Sequence, residues 1–473
     1  MALFPTLVGF LLVTIACGDS GDGSADPTPT SSLTGSPTAA SSTATPSASS
    51  TPTESTGTSI ALPDAGVSET GHRRLGTGTG EPTTARDPSF DPLEGTEGYH
   101  GRLGNSVYRI EMPDGWSGGG LLLWSHGFRG FGNEVSVSNP PGPLRSAIID
   151  SGYAWAASSY DENGYTPGIG ADATMALTRH FESQFGEASP VLIAGNSMGG
   201  NVVILALEHM RGEYDGGLSF CGAVGGEEQL DYLLSWGLLA EVFSGVYLPI
   251  GSSSARVLVA LLQIGLTLGE PVALSPRGNH FKAAVRDLSG GSRPFFEEGF
   301  AKNFATNFGL LLSDPTRSTV AVAATTNVGF VYGAPTGAGM SADELNQAIR
   351  RIEPEVGTRD PLEHPDAIPT SGDLSAPLLS LHNTGDLFVP ISLEVAYREK
   401  TMAVGTADLL VQRAIRNAGH CEFSQTEYAR AWEDLRAWIE EGIRPMGEQL
   451  GDDLSDVGLA FTQPLRAGDP GGR

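Results

Sequence analysis

Val191-Leu192-Ile193-Ala194-Gly195-Asn196-Ser197-Met198-Gly199-Gly200 is an apolar run that breaks into the pattern G-x-S-x-G. A buried strand ending in such a turn, with a helix behind it, is the sequence form of a nucleophile elbow. Ser197 would sit on a tight, strained turn, where Gly195 and Gly199 remove the clashes that larger side chains would cause and Gly200 adds room. The helix is expected from Asn201 to Met210, with Val203, Leu207 and Met210 at helical spacing and Gly212 as its stop. Its first N–H groups and its dipole favour negative charge developing near Ser197. A plain glycine-rich strand-to-helix turn has the same letters, so the rest of the chain has to decide.

At 473 residues the chain is long enough for two or three domains, or for one large core with insertions. Its formal net charge of −27 repels phosphate at long range and excludes nucleic acid as a partner class. Lys282, Lys302 and Lys400 are the only lysines, and arginine supplies nearly all the positive charge.

Met1 to Ala16 is almost entirely apolar and ends at Cys17. The run is too short to span a bilayer and has the length of a signal-peptide core. Small and apolar residues before a cysteine, with Gly18 after it, resemble the lipobox of bacterial lipoproteins. That resemblance implies acylation of Cys17, which becomes the new N-terminus and attaches the chain to the membrane of a bacterial cell envelope. Thr14 departs from the leucine that the pattern prefers, and no Lys or Arg precedes the apolar run. A normally cleaved secretory peptide is the other reading. Residues 17–87 are rich in Ser, Thr, Pro, Gly and Ala, cannot bury enough apolar surface to offset chain entropy, and are expected to be a disordered linker. Its flexible part spans about 40–45 Å, enough to hold a domain clear of a membrane. With Cys17 set aside, Cys221 and Cys421 remain, either as a disulfide in an oxidising compartment or as two separate buried thiols.

Beyond residue 88 the pattern alternates. Tyr99–Leu103 and Val107–Met112 are expected as antiparallel strands, and Leu121–Trp124 as a buried strand running into Ser125-His126-Gly127-Phe128. A short helix ending near Gly152, a strand over Tyr153–Ser158, a helix over Ala171–Phe185, the Ser197 strand and helix, and a strand over Leu218–Val224 follow. Alternating buried strands and helices imply a mostly parallel, doubly wound α/β sheet.

With this order and the turn at Ser197, the chain resembles the α/β-hydrolase superfamily over roughly Tyr99–Val224 and Ala376–Trp438. In that fold the nucleophile is followed in the chain by an acid and then a base. The resemblance implies Asp386 as the acid, just beyond the strand Pro377–Leu381, in His382-Asn383-Thr384-Gly385-Asp386-Leu387-Phe388-Val389-Pro390; Asn383 stands where the family commonly has Gly. It implies His420 as the base, in Ala418-Gly419-His420-Cys421-Glu422-Phe423, before a last helix opened by the capping-box pattern Ser424-x-x-Glu427. The oxyanion hole is carried over as the backbone N–H groups of Phe128 and Met198. His126 is expected to brace its loop, His382 to be a structural hydrogen-bonding residue, and Tyr160 and Asp161 to serve their loop. The remaining candidates, His72, His180, His209, His280 and His364, fall in the linker, on helices or in an insertion.

The expected organisation is a core over 88–225 and 376–445, a mainly helical cap inserted at 226–375 and a C-terminal tail at 446–473. Apolar stretches in the cap, Leu230 to Phe243 and Val257 to Leu266, are expected to pack onto the sheet. The implied activity is that of a serine carboxylester hydrolase on a small-molecule ester, without metal or organic cofactor. A serine peptidase or an acyltransferase would use the same three residues, and a non-catalytic surface-binding lipoprotein on the same scaffold would use none.

Overall fold

Nine strands lie side by side in one sheet, in the order β1 (Ile60–Ala61), β3 (Thr96–Leu103), β4 (Ser106–Pro113), β7 (Ala154–Ser158), β5 (Leu121–Ser125), β8 (Val191–Asn196), β9 (Gly216–Phe220), β12 (Leu378–Asn383) and β13 (Leu410–Ile415). This is a computed structural model, and it describes residues 57–66, 75, 83–309, 324–355, 359, 369–451 and 453–466. The signal segment Met1–Ala16, Cys17 and the linker to residue 56 lie outside the described residues. Two short pairs stand apart from the sheet: β2 (Thr84–Ala85) with β6 (Glu134–Val135), and β10 (Gly269–Glu270) with β11 (Ala273–Leu274). Only β4 runs antiparallel to its neighbours in the main sheet. From β7 to β13 every pair is parallel, as the alternation of strands and helices requires.

The central strands are buried on both sides because each face carries helices. Leu121, Leu123 and Ile193 pack with Phe181, Val203 and Leu207, from α2 (Pro167–Phe185) and α3 (Met198–His209). Leu122, Trp124 and Leu192 point the other way, into Leu144 and Ile148 of α1 (Gly142–Asp150) and Trp432 and Leu435 of α10 (Gln425–Glu441). This is the two-residue strand period with both faces covered. The Ser424–Glu427 capping box that opens α10 is fully formed.

Residues 226–375 contribute α4 (Glu227–Ser244), α5 (Ser254–Leu268), α6 (Pro276–Leu288), α7 (Phe296–Gly309) and α8 (Ala342–Ala348). They share one continuous hydrophobic cluster with the sheet, in which Leu230, Leu234 and Ile264 join Ile193 and Val203. Phe296, Phe300, Phe304 and Phe308 form a ladder along α7, and Trp236 of α4 meets Phe281, Phe300 and Phe308 at 5.4, 5.8 and 6.1 Å between ring centres. The chain then returns through β12, α9 (Ser392–Val404) and β13. Among the described residues, no helix is long and apolar enough to cross a membrane.

Several boundaries differ from the sequence reading. Helix α2 begins at Pro167, since proline is preset for a first helical position, where its missing N–H costs nothing. Helix α3 begins at Met198, directly after Ser197, instead of at Asn201. Strand β9 ends at Phe220, because Cys221 turns the chain with φ 46°. The expectation of disorder through residue 87 does not hold for the described linker residues. Ile60 and Ala61 pair in parallel with Tyr99 and His100 and cover the edge of β3, and Ala65 bridges Leu103. The tail is packed as well, with Leu450 and Leu454 buried beside Ile391 and Ala414.

Candidate active site

The strand order reverses between β5 and β8: the chain moves from β5 to β7 on one side and reaches β8 on the other. Such a switch point opens a crevice at the carboxyl ends of the strands. Here β5 delivers Ser125-His126-Gly127-Phe128 to one side of it and β8 delivers Ser197 to the other.

Ser197 has φ 56° and ψ −121°, a backbone conformation that is strained for any residue with a side chain. Its neighbours must therefore be small. A Cβ on Gly199 would lie 2.0 Å from Ser125 O, and one on Gly195 would lie 2.3 Å from Gly199 O. The turn is tied by Ser197 N–H donating to Phe220 O at 3.0 Å and by Gly200 and Ala223 N–H donating to Ser197 O at 2.9 and 3.0 Å.

The side chains of Ser197, His420 and Asp386 meet in a line. Ser197 Oγ lies 2.8 Å from His420 Nε2, and His420 Nδ1 lies 2.6 Å from Asp386 Oδ2. A carboxylate only accepts, so His420 carries its proton on Nδ1 and its Nε2 faces the serine hydroxyl as acceptor. Asp386 is fully buried, and its Oδ1 accepts from the N–H groups of Phe388 at 2.9 Å and Val389 at 3.1 Å. Phe388 packs edge-on against the His420 ring at 5.0 Å.

Asn383, the departure from the family pattern, links the acid and base loops. Its Oδ1 accepts from Glu422 N–H and its Nδ2 donates to Glu422 O, both at 3.0 Å. Cys221 and Cys421 form a disulfide, with 5.2 Å between their Cα atoms. The bridge joins the end of β9, beside the Ser197 turn, to the residue after His420.

Gly127 lies against the serine, since a Cβ there would be 3.1 Å from Ser197 Cβ and 3.6 Å from its Oγ. Phe128 follows it directly, and Met198 is the first residue of α3. Among the described residues neither backbone N–H has an internal acceptor. Two unpaired donors therefore flank the serine, at a helix N-terminus and on the neighbouring loop. His126 is buried under the stacked Tyr160 ring at 4.0 Å, with Gly127 O and Ser159 O at 2.7 and 3.1 Å from its nitrogens. Burial pulls its pKa down to about 3, so the ring is neutral and braces the loop. Tyr160 belongs to this brace and donates to His126 O at 3.1 Å.

His382 sits behind Asp386. Its Nε2 donates to Val389 O at 2.8 Å and lies 3.8 Å from Asp386 Oδ2, while its Nδ1 is 3.3 Å from Glu394 Oε1. Burial alone would lower its pKa, but the hydrogen bond and charge of Glu394, with the charge of Asp386, raise it above the ordinary value. The sequence reading missed the residues that surround the acid loop from the insertion: Gln229, Tyr232, Arg293 and Asn307. Gln229 and Tyr232 left a weak signal, as polar residues beside the leucines of their helix. Arg293 left none.

No family model matches the chain. A curated relative, o-phthalyl amidase of Xanthobacter agilis, is 30% identical over 96 residues, which is 20% of this chain and 21% of that protein. The match thus spans about a fifth of the relative's length. Among solved structures, the chain is similar to feruloyl esterase B from Aspergillus oryzae, with TM-score 0.41 and 13% identity over 72% of this chain and 79% of that one. It is also similar to the acylaminoacyl peptidase of Pyrococcus horikoshii, with TM-score 0.37 and 12% identity over 76% of this chain and 44% of that one. The sheet order, the switch point between β5 and β8 and the glycine-flanked turn at Ser197 are those of the α/β-hydrolase fold, which this chain adopts.

Proposed function

We propose that the chain is a serine carboxylester hydrolase working through an acyl-enzyme. One observation carries the reading: an unbroken line of hydrogen bonds from Ser197 Oγ through His420 to the buried carboxylate of Asp386. In the first half-reaction His420 Nε2 takes the hydroxyl proton as Ser197 Oγ attacks the acyl carbon. The imidazolium that forms is held by Asp386 Oδ2. The N–H groups of Phe128 and Met198 stabilise the oxyanion. His420 then protonates the departing alcohol, and water cleaves the acyl-enzyme by the same steps with His420 as base.

The test is labelling with a fluorophosphonate, followed by turnover on esters of graded chain length and on amides. Wild type is expected to label at Ser197 and to hydrolyse esters. Ser197→Ala should lower kcat by about 10⁴–10⁶. Asp386→Asn should lower it by about 10⁴, because the amide favours the wrong imidazole tautomer. A protein that labels but cleaves only amides is a peptidase or amidase, and one that only passes the acyl group to an added alcohol is an acyltransferase. Absence of both labelling and turnover would favour a non-catalytic binding role.

The same reading places the enzyme on a bacterial cell envelope, held by a lipid on Cys17. The apolar Met1–Ala16 run, the small residues Ala16 and Gly18, and the Ser/Thr/Pro-rich spacer support it. Growth of an expressing bacterium with labelled palmitate should tag the wild type and leave Cys17→Ala untagged. An untagged wild type would leave a cleaved secretory peptide as the better account.

A further inference from the structure

The backbone of the acid loop, Thr384 to Phe388, is held from two sides: its N–H groups at Thr384 and Gly385 donate to Ile415 O and Asn417 O of the core at 2.9 and 2.8 Å, while its carbonyls are held from the insertion. Arg293 Nε donates to Thr384 O at 2.6 Å. Asn307 Nδ2 and Tyr232 Oη both donate to Leu387 O, at 2.6 and 2.9 Å. Gln229 Nε2 donates to Phe388 O at 2.7 Å. At Gly385 the contact is backbone on backbone, since a Cβ on Gly299 of α7 would fall 1.7 Å from Gly385 O. Every residue of the loop except Asp386 is thus gripped by the insertion, and all four donors are buried.

Arg293 is the least expected of them. Its guanidinium also donates to Gly291 O at 2.9 Å and Ser289 Oγ at 3.1 Å, and lies 5.1 Å from the centre of the Phe296 ring. All three hydrogen-bond acceptors are neutral, and among the described residues no carboxylate lies within ion-pair distance of it. Burial is the main cause that brings its pKa down to about 10, while the charge of Asp386 acts the other way. A buried cation without a paired anion is costly, and an apolar side chain of similar length would fill the space more cheaply. A rigid planar fork does what an apolar chain cannot: it fixes the distance between segment 289–291 and the acid loop.

We infer that the insertion aims the acid, with Arg293, supported by Gln229, Tyr232 and Asn307, as positioning residues that hold the Asp386 loop in register with His420. This rests on the proposed hydrolase reading, in which Asp386 orients the base. Displacement of a catalytic group by about 1 Å costs on the order of 10²-fold in rate.

The experiment compares wild type with Arg293→Met, Arg293→Lys and Tyr232→Phe in the full chain. It uses kcat and KM on an ester that wild type cleaves, together with the proton NMR signal of the His420 Nδ1–H held by Asp386. Arg293→Met should lower kcat by about 10²-fold with KM little changed, and should broaden or erase that signal. Arg293→Lys should recover only part of the rate, because one ammonium cannot span three acceptors. Tyr232→Phe, which removes a single hydroxyl, should keep the fold and lower kcat by on the order of fivefold. Unchanged kcat and an unchanged signal in Arg293→Met and Tyr232→Phe would overturn the inference, as would a rise in KM alone, which would mean contact with substrate. Should Arg293→Met not fold, Tyr232→Phe decides by the same two readouts. If wild type cleaves nothing, the hydrolase reading fails, and the NMR comparison still tests whether the insertion positions Asp386.

Discussion

Burial and charge set opposite fates for two histidines near Ser197. His126 is neutral at ordinary pH because its burial, helped by the charge of Arg129, outweighs the carbonyls of Gly127 and Ser159 that favour the charged ring. His382 is equally buried but faces Glu394 at 3.3 Å and Asp386 at 3.8 Å, and these raise its pKa despite the desolvation. The other groups around it, Gln412 and Ser380, hydrogen-bond Glu394 and carry no charge. A pKa raised on folding contributes stability that is fully present below the unfolded value of about 6.5 and is lost as pH rises through the folded value. His382→Gln should therefore lower the melting temperature more at pH 5.5 than at pH 9. An equal drop at both, read by thermal denaturation, would mean that His382 is neutral in the fold. The glycines work differently: Gly199 is required because a backbone carbonyl occupies the place of its Cβ, and that crowding follows directly from the G-x-S-x-G pattern.

At the scale of elements, the acid and base loops are joined by links that local sequence carries only in part. The capping box of α10 is local, and its pattern can be read from Ser424 and Glu427. The bridge between Cys221 and Cys421 is not local, since the two residues are 200 positions apart and either pairing or separation was open until their Cα atoms were located. Closing so long a loop limits the unfolded chain and is worth roughly 2–5 kcal/mol. The double substitution Cys221→Ala, Cys421→Ala should lower unfolding free energy by about that amount in denaturant titration. It should also lower kcat, because the residue after His420 is then released from β9. Full activity with reduced stability would confine the bridge to a structural role. The phenylalanine ladder of α7 repeats every four residues, a spacing that puts the rings on one helix face, but what that face packs against is decided only by the fold.

The whole molecule closes its sheet with residues that composition assigns to a linker. Ile60 and Ala61 cap the β3 edge, and Leu75 is buried with its N–H donating to Asp172 of α2 at 2.8 Å. An open edge strand pairs with other chains. A chain starting at residue 83 should therefore self-associate at concentrations where the full chain does not, measured by light scattering. Equal behaviour of the two would mean that β3 protects itself. The insertion is likewise no separate unit, because its leucines and phenylalanines share one core with α2, α3 and the sheet.

Strand and helix order and the sharp turn at Ser197 were legible because each rests on short-range chemistry: a period of about 2 or 3.6 residues, glycines where no Cβ fits, and a cap three residues from its partner. The loops carrying Asp386 and His420 were legible through the family resemblance. The docking of segment 57–66, the pairing of Cys221 with Cys421 and the grip of Gln229, Tyr232, Arg293 and Asn307 on the acid loop were not. Each joins residues far apart in the chain, and their value depends on a distance and an orientation that exist only once the sheet and the insertion have packed. Arg293 shows the reason most plainly. In sequence it is one more surface-type cation, and only the packed fold buries it and points its fork at Thr384 O.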